Sequence, residues 1–300
     1  MLRCLNMLPA AWAEASLAFG ALAQGLLRPS RRRRAYRWAA SQPDVRDPRR
    51  LAGALLAERG RFLAAATQVG VRDPEELRRR LAVEGREHLD AAAQRGGVLL
   101  VGLHLGSAAT ALALKVAGYP LVFTGRGRGP LWPRAPARWI VPAPEDLIQW
   151  TDVASRVIAL RRIQRRLVAR GMVYMAADGD GQDAFTIPLP GGDVAVRGGW
   201  LAVRRTPDVS ALPVLAHTED AWLRVRIHPP FPASVADRSA DLAACRAHLT
   251  PIVAEFVRQW PEQCFMLALG RADDMARNAS VSKGRLPTKP SSVAADDIPG

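Results

Sequence analysis

Cysteine is scarce in this sequence, with three residues among 300, namely Cys4, Cys245 and Cys264. The odd number and the absence of metal-ligand spacing exclude a disulfide framework and a zinc module. The cysteines are therefore predicted to be reduced thiols in a cytosolic setting.

Acidic residues are outnumbered, 28 against 42 basic ones, and the formal net charge is +14. Such a balance favours nucleic acid, an anionic membrane or acidic ligands as partners. No helix-turn-helix, aromatic stacking motif or zinc module accompanies the charge, so we expect no nucleic-acid binding. The 49% hydrophobic content excludes general disorder, and 300 residues suffice for a substantial core.

Residues 7–27 form an apolar stretch whose one charge is Glu14. Its length is near the roughly 20 residues that span a bilayer. Basic residues follow this stretch, at Arg28 and at 31–34, rather than precede it as in a signal peptide. This order favours an uncleaved helix, spanning the membrane or lying on anionic lipid, with a cytoplasmic body. An ordinary core helix followed by a solvated basic loop is the alternative. Residues 1–50 are thus predicted to be an apolar helix and a basic linker.

His104 follows the most apolar run of the chain. Residues 97–103 predict a buried strand, and residues 108–116 predict a helix after Gly106 and Ser107. In an open α/β sheet, ligands bind outside the carboxyl ends of the strands. A histidine there can act as a base, or it can be packed beneath a loop.

The remaining chain predicts an α/β domain over residues 51–272 and a disordered tail over 273–300. Asp178 is the last residue of the third predicted strand, and its carboxylate makes it a candidate site residue. The strands predicted besides 97–103 lie at 121–124, 171–178, 209–216 and 222–227, and the further helices lie at 51–69, 74–83, 88–94, 152–170 and 241–260. Residues 127–144 are predicted to be either a mobile flap over a lipid groove or a solvated loop.

Three segments, residues 84–89, 96–100 and 104–106, resemble the lipid A biosynthesis (lauroyl/myristoyl) acyltransferase family, a branch of the lysophospholipid/glycerolipid acyltransferase superfamily. The signature of that family is a histidine, four residues and then Asp or Glu. His104 and Gly106 keep the motif, but Ala109 stands in the place of the acid. The resemblance continues through Arg126 and Gly198 and covers residues 8–271. It implies a loop over residues 185–192 and a helix over residues 199–205.

The resemblance implies an α/β fold, a glycerolipid-acyltransferase-like mixed sheet flanked by helices, with an N-terminal membrane-associated helix. It also implies transfer of an acyl group from acyl carrier protein or coenzyme A to a hydroxyl of a lipid, glycolipid or related acceptor. No metal or other cofactor is expected. The implied location is the cytoplasmic face of a bacterial inner membrane, peripheral or single-span.

Within that reaction, His104 is the candidate base for the acceptor hydroxyl. Asp178 is the candidate substitute for the acid missing at Ala109. Candidate substrate-binding residues are Gly106, Ser107, Arg126 and Gly198. Ser107 is equally explained as a helix N-cap, and Arg126 as a surface arginine.

The acid missing at Ala109 leaves two functions open. One is an active acyltransferase with a rearranged dyad. The other is a catalytically degenerate homologue that binds lipid or acyl chains, or supports a partner enzyme.

Overall fold

The computed structural model describes residues 10–68, 74–107, 109–126, 147–150, 153–178, 183–220 and 222–269. The main sheet has seven described strands in the order β1-β9-β8-β2-β5-β3-β4, and β6 and β7 form a separate antiparallel pair. The strands are β1 Leu81–Glu84, β2 Gly97–Gly106, β3 Leu121–Arg126, β4 Leu147–Trp150, β5 Met172–Ala176, β6 Asp183–Ile187, β7 Val194–Arg197, β8 Val209–Glu219 and β9 Trp222–Ile227.

Helices cover both faces of the main sheet. They are α1 Ala10–Leu26, α2 Pro29–Ala40, α3 Pro48–Gln68, α4 Pro74–Arg79, α5 Arg86–Arg95, α6 Thr110–Val116, α7 Val153–Val168, α8 Gly199–Arg204, α9 Arg238–Gln259 and α10 Phe265–Leu269, with a 3-10 helix at Pro261–Gln263. The mixed sheet confirms the predicted α/β class, because β8 and β9 are antiparallel while the other pairings in the sheet are parallel.

Strand β2 lies at the centre of the sheet, parallel to β5 on one side and to β8 on the other. Its near-continuous apolar run is buried on both sides, as is typical of a central parallel strand. Leu99 and Leu103 belong to the core layer that also includes residues of α2, α3, α7 and α9, here called the large core face. Val98 and Leu100 belong to the opposite layer with residues of α5 and α6, here called the small core face.

The prediction of a linker over residues 28–50 is wrong, because α2 occupies residues 29–40. Pro29 fits the first turn of a helix, where its missing N–H is not needed. Ala35 and Trp38 are buried on the inner side of α2, while several of its arginines stay exposed. Arg32, Arg33 and Arg37 therefore lie on the exposed side of an amphipathic helix that is part of the folded unit, whereas Arg31 is buried.

Two further predictions need correction. The helix predicted to reach residue 83 ends at Arg79, since residues 81–84 pair with β9 as strand β1. Residues 185–192, predicted to be a loop, begin within β6, which pairs with β7. In each case a partner strand distant in sequence decides the local conformation.

Helix α1 confirms that the apolar N-terminal stretch is helical. It crosses α3 closely, because a Cβ at Gly60 would lie 2.1 Å from the Leu17 carbonyl oxygen. Among the described helices, none combines the length and apolarity needed to cross a membrane. The predictions for residues 127–144 and 273–300 lie outside the described residues.

Candidate active site

His104 lies near the carboxyl end of β2. Leu103 and Leu105, its neighbours along the strand, both pack in the large core face. Because successive side chains of a strand point to opposite sides of the sheet, the His104 side chain leaves β2 on the other side. That side chain is 39% exposed, in contrast to its buried neighbours along the strand. The exposure makes the imidazole accessible to a reactant.

Asp178 is placed beside His104 by the register of β2 and β5. Gly102 pairs with Ala176, and the Ala177 N–H donates to the Gly102 carbonyl at 2.7 Å. His104 and Asp178 each follow that pair by two residues. Two parallel strands therefore deliver the base and the acid to the same end of the sheet.

Both oxygens of Asp178 contact His104. Oδ1 lies 2.7 Å from the imidazole Nδ1, and Oδ2 accepts a hydrogen bond from the His104 backbone N–H at 2.9 Å. The carboxylate side chain is only 14% exposed, so water screens the pair less than at an open surface. This arrangement favours the tautomer with the proton on Nδ1, fixes the ring, and stabilises an imidazolium once Nε2 takes a proton.

Tyr174 packs across β2 at Gly102, two residues before His104. A Cβ at Gly102 would lie 2.0 Å from the Tyr174 hydroxyl oxygen, so any side chain there would displace the ring. Burial, with the charge of Asp178 as a second cause, raises the pKa of Tyr174. The phenol therefore stays protonated beside the carboxylate. The sequence analysis missed Tyr174 and Gly102, although both occur on strands that lead to candidate site residues.

Gly106 and Ser107 shape the turn after β2. Gly106 has a φ of +71°, and a Cβ there would lie 2.0 Å from the Ala216 carbonyl oxygen. The Ser107 hydroxyl accepts from the Ala109 N–H at 3.2 Å, and the Thr110 hydroxyl donates to the Ser107 carbonyl at 3.0 Å. The N-cap position of α6 is Ala109, with no side-chain capping bond, so the N-cap interpretation of Ser107 is wrong, and its substrate-binding role stays a prediction.

Ala109 is 2% exposed and packs in the small core face. Its position immediately before α6 is the one where the family motif carries an acid. The carboxylate that contacts Nδ1 of His104 comes instead from Asp178.

Gly198 and Arg126 lie at the same end of the sheet. Gly198 precedes α8 and follows Arg197, whose backbone N–H donates to the Ala177 carbonyl. This places the backbone of Gly198 near Asp178. Arg126 ends β3, which is separated from β2 by β5. The structure thus groups Gly106, Gly198 and the dyad closely, and puts the backbone of Arg126 one strand further away.

No three His, Cys, Asp or Glu side chains in the described ranges form a group that could hold a metal ion. The site itself provides an oriented, accessible imidazole with a carboxylate behind it.

Residues 1–126 match the sequence model of a family described as bacterial lipid A biosynthesis acyltransferase. The matched segment runs from α1 to the end of β3 and includes His104, whereas Asp178 lies beyond it. The match confirms the family resemblance inferred from the motifs. No curated protein matches the chain significantly.

Proposed function

Because its first 126 residues match the lipid A biosynthesis acyltransferase family, we propose that this chain transfers a fatty acyl group. The donor is a thioester of acyl carrier protein or coenzyme A. The acceptor is a hydroxyl of a lipid, glycolipid or related molecule. The observation that carries the proposal is the 2.7 Å contact between His104 Nδ1 and Asp178 Oδ1.

In the proposed reaction, Nε2 of His104 takes the proton of the acceptor hydroxyl while its oxygen attacks the thioester carbonyl. The resulting tetrahedral intermediate collapses as the carbon–sulfur bond breaks. The imidazolium returns its proton to the departing thiolate, which leaves an ester and a free thiol. Asp178 orients the ring throughout and offsets its transient positive charge.

A catalytically degenerate homologue is the second candidate, and it is motivated by Ala109. The dyad geometry favours the active enzyme over it. Both carboxylate oxygens of Asp178 contact His104, so Asp178 orients and stabilises the imidazole as the motif acid would, and the ring remains accessible. Loss of the acid at position 109 is therefore compatible with catalysis.

The test compares lipids and acylated metabolites by mass spectrometry in cells that carry the wild-type chain or His104→Ala. We expect a product present with the wild type to disappear with the variant. His88→Ala is the matched control, since His88 is also partly exposed but pairs with Glu87 away from the dyad. Identical products from wild type and His104→Ala, with both proteins folded, would favour the degenerate homologue.

The proposed location is the cytoplasmic face of a bacterial inner membrane, with α1 lying on anionic lipid. Three aromatic or aliphatic side chains spaced by seven residues, Trp12, Phe19 and Leu26, form one stripe along α1. They are 70%, 73% and 48% exposed, and the adjacent Leu27 is 83% exposed. Arg32 and Arg33 are exposed on α2 close by in sequence. This combination suits a surface-bound helix, with about 1 kcal/mol from each basic residue near anionic lipid.

Vesicle co-sedimentation tests this location. We expect Phe19→Glu and Leu27→Glu to weaken binding to phosphatidylglycerol vesicles several-fold, because the first places a carboxylate in the apolar stripe and the second places one directly beside it. Val235→Glu is the control, since Val235 is 49% exposed but lies outside the α1 and α2 segments. Equal vesicle binding by Phe19→Glu and wild type would count against the membrane proposal.

A further inference from the structure

A cavity lies between α9 and the β8–β9 hairpin, with a volume of about 340 Å³. Its walls include Leu215 and His217 from β8, Arg226 from β9, and Phe256 from α9. None of the candidate acyltransfer residues lines it. The proposed function therefore leaves this cavity without a role.

The cavity lies on the opposite side of the sheet from His104. Leu215 and Phe256 belong to the large core face, whereas the His104 side chain leaves β2 toward the other side. A molecule in this cavity would be separated from the dyad by the sheet.

His217 lines the cavity, and its side chain carries a buried polar atom without a partner. The residue is 2% exposed, and its buried Nε2 has no hydrogen-bond partner in the described part of the chain. The ring stacks on Trp260 with centroids 3.7 Å apart, so its orientation is fixed. A buried polar group without a partner is costly, and a ligand that pairs with Nε2 removes that cost.

Arg226 adds a cation at the same end. Its Nε donates to Glu84 at 2.8 Å, and its guanidinium lies over Trp260, 5.7 Å from the ring centroid. Its terminal Nη groups have no hydrogen bond among the described residues and suit a carboxylate. The indole of Trp260 therefore contacts both the His217 imidazole and the Arg226 guanidinium.

The other titratable groups of the cavity are His228 and Glu255. Burial, reinforced by Arg226, lowers the pKa of His228 to about 4, and burial also lowers the pKa of His217. Both imidazoles are therefore neutral near pH 7. Arg258 holds Glu255 through hydrogen bonds of 2.7 and 2.9 Å, which offsets the charge of that carboxylate.

We propose that this cavity binds a small organic acid, with its carboxylate on His217 and Arg226 and its apolar body against Pro251, Ile252 and Phe256. The volume has room for roughly ten non-hydrogen groups, at the ~30 Å³ that a water molecule occupies in the liquid. Five of the nine lining residues are apolar, and a mostly apolar lining is typical of small-molecule sites. The acid is a ligand of this second site and takes no part in the proposed acyl transfer.

Isothermal titration of the full-length chain with phenylacetate and cyclohexylacetate tests the proposal, because each acid has ten non-hydrogen atoms. We expect saturable binding of at least one acid, with one molecule per chain. His217→Phe keeps the ring stack but removes the nitrogen, and Arg226→Gln removes the cation. Each should weaken binding at least tenfold. Ile252→Trp, which fills the cavity, should abolish binding and provides a second test if His217→Phe fails to fold.

Two controls separate this site from other effects. Arg224→Gln removes a neighbouring arginine that also approaches Glu84, at 3.8 Å, but does not line the cavity. It should bind like wild type, and so should His104→Ala, whose loss of acyl transfer bears only on the proposed function. Absence of saturable binding by both acids, unchanged affinity in the folded cavity variants, or equal affinity for the uncharged 2-phenylethanol would overturn the proposal.

Discussion

Replacing Asp178 by Asn tests the dyad most directly, because both carboxylate oxygens accept a hydrogen bond from His104. Oδ2 accepts from the backbone N–H at 2.9 Å and Oδ1 contacts Nδ1 at 2.7 Å. An asparagine has only one oxygen for these two donors. If the amide oxygen stays on the backbone N–H, the amide NH₂ faces Nδ1.

The NH₂ group needs an acceptor, so it favours the tautomer in which Nδ1 carries the lone pair and Nε2 carries the proton. A protonated Nε2 on a neutral ring cannot take the hydroxyl proton. The same substitution in a serine-protease triad lowers turnover about 10⁴-fold. A loss of that size corresponds to about 5.4 kcal/mol of transition-state stabilisation.

The assay measures the initial rate of acyl transfer with the product identified for the wild type. Asp193→Asn is the matched control, since Asp193 is an exposed carboxylate in the turn between β6 and β7. We expect that control to keep the wild-type rate. Circular dichroism and thermal unfolding establish that both variants are folded.

A loss of less than tenfold in Asp178→Asn would refute the reasoning, because it would mean that the tautomer of His104 is not set by this carboxylate. A large loss that Asp193→Asn shares would also refute it, since the effect would then be a general one of removing a negative charge.

Two further substitutions test the turn after β2. Ala109→Glu restores the family acid in sequence, but we expect no gain in the initial rate of acyl transfer, because Asp178 already contacts Nδ1 of His104. In urea unfolding, the free energy of unfolding should fall by at least about 2 kcal/mol, because the variant places a carboxylate at a position that is only 2% exposed. A large gain in rate would instead identify a degenerate site. Gly106→Ala should lower the free energy of unfolding by about 3 kcal/mol, because φ at this position is +71° and the added Cβ would lie 2.0 Å from the Ala216 carbonyl oxygen. Gly125→Ala, whose Cβ would have no atom within 4 Å, should unfold like wild type; equal urea midpoints for both variants would contradict this account.

Sequence periodicity predicted the elements that bury a continuous apolar run or an amphipathic face. Strands β2 and β5 and helix α9 are of this kind, since their own side chains fix which face is buried. Strand β1 could not be predicted in the same way. Its four residues are only partly buried, and their conformation depends on pairing with β9 about 140 residues later.

The sequence by itself determined that the chain has an α/β core, a histidine at the end of a central strand, and no acid at position 109. The first two follow from local patterns together with the family resemblance, and the third follows from comparison with the family motif. Only the tertiary structure decided which carboxylate reaches His104, because the parallel register of β2 and β5 brings together residues 74 positions apart. The cavity beside His217 likewise required the fold, since stacking on Trp260 joins side chains from different elements. Contacts of this kind are set by strand pairing and helix packing, which no local pattern encodes.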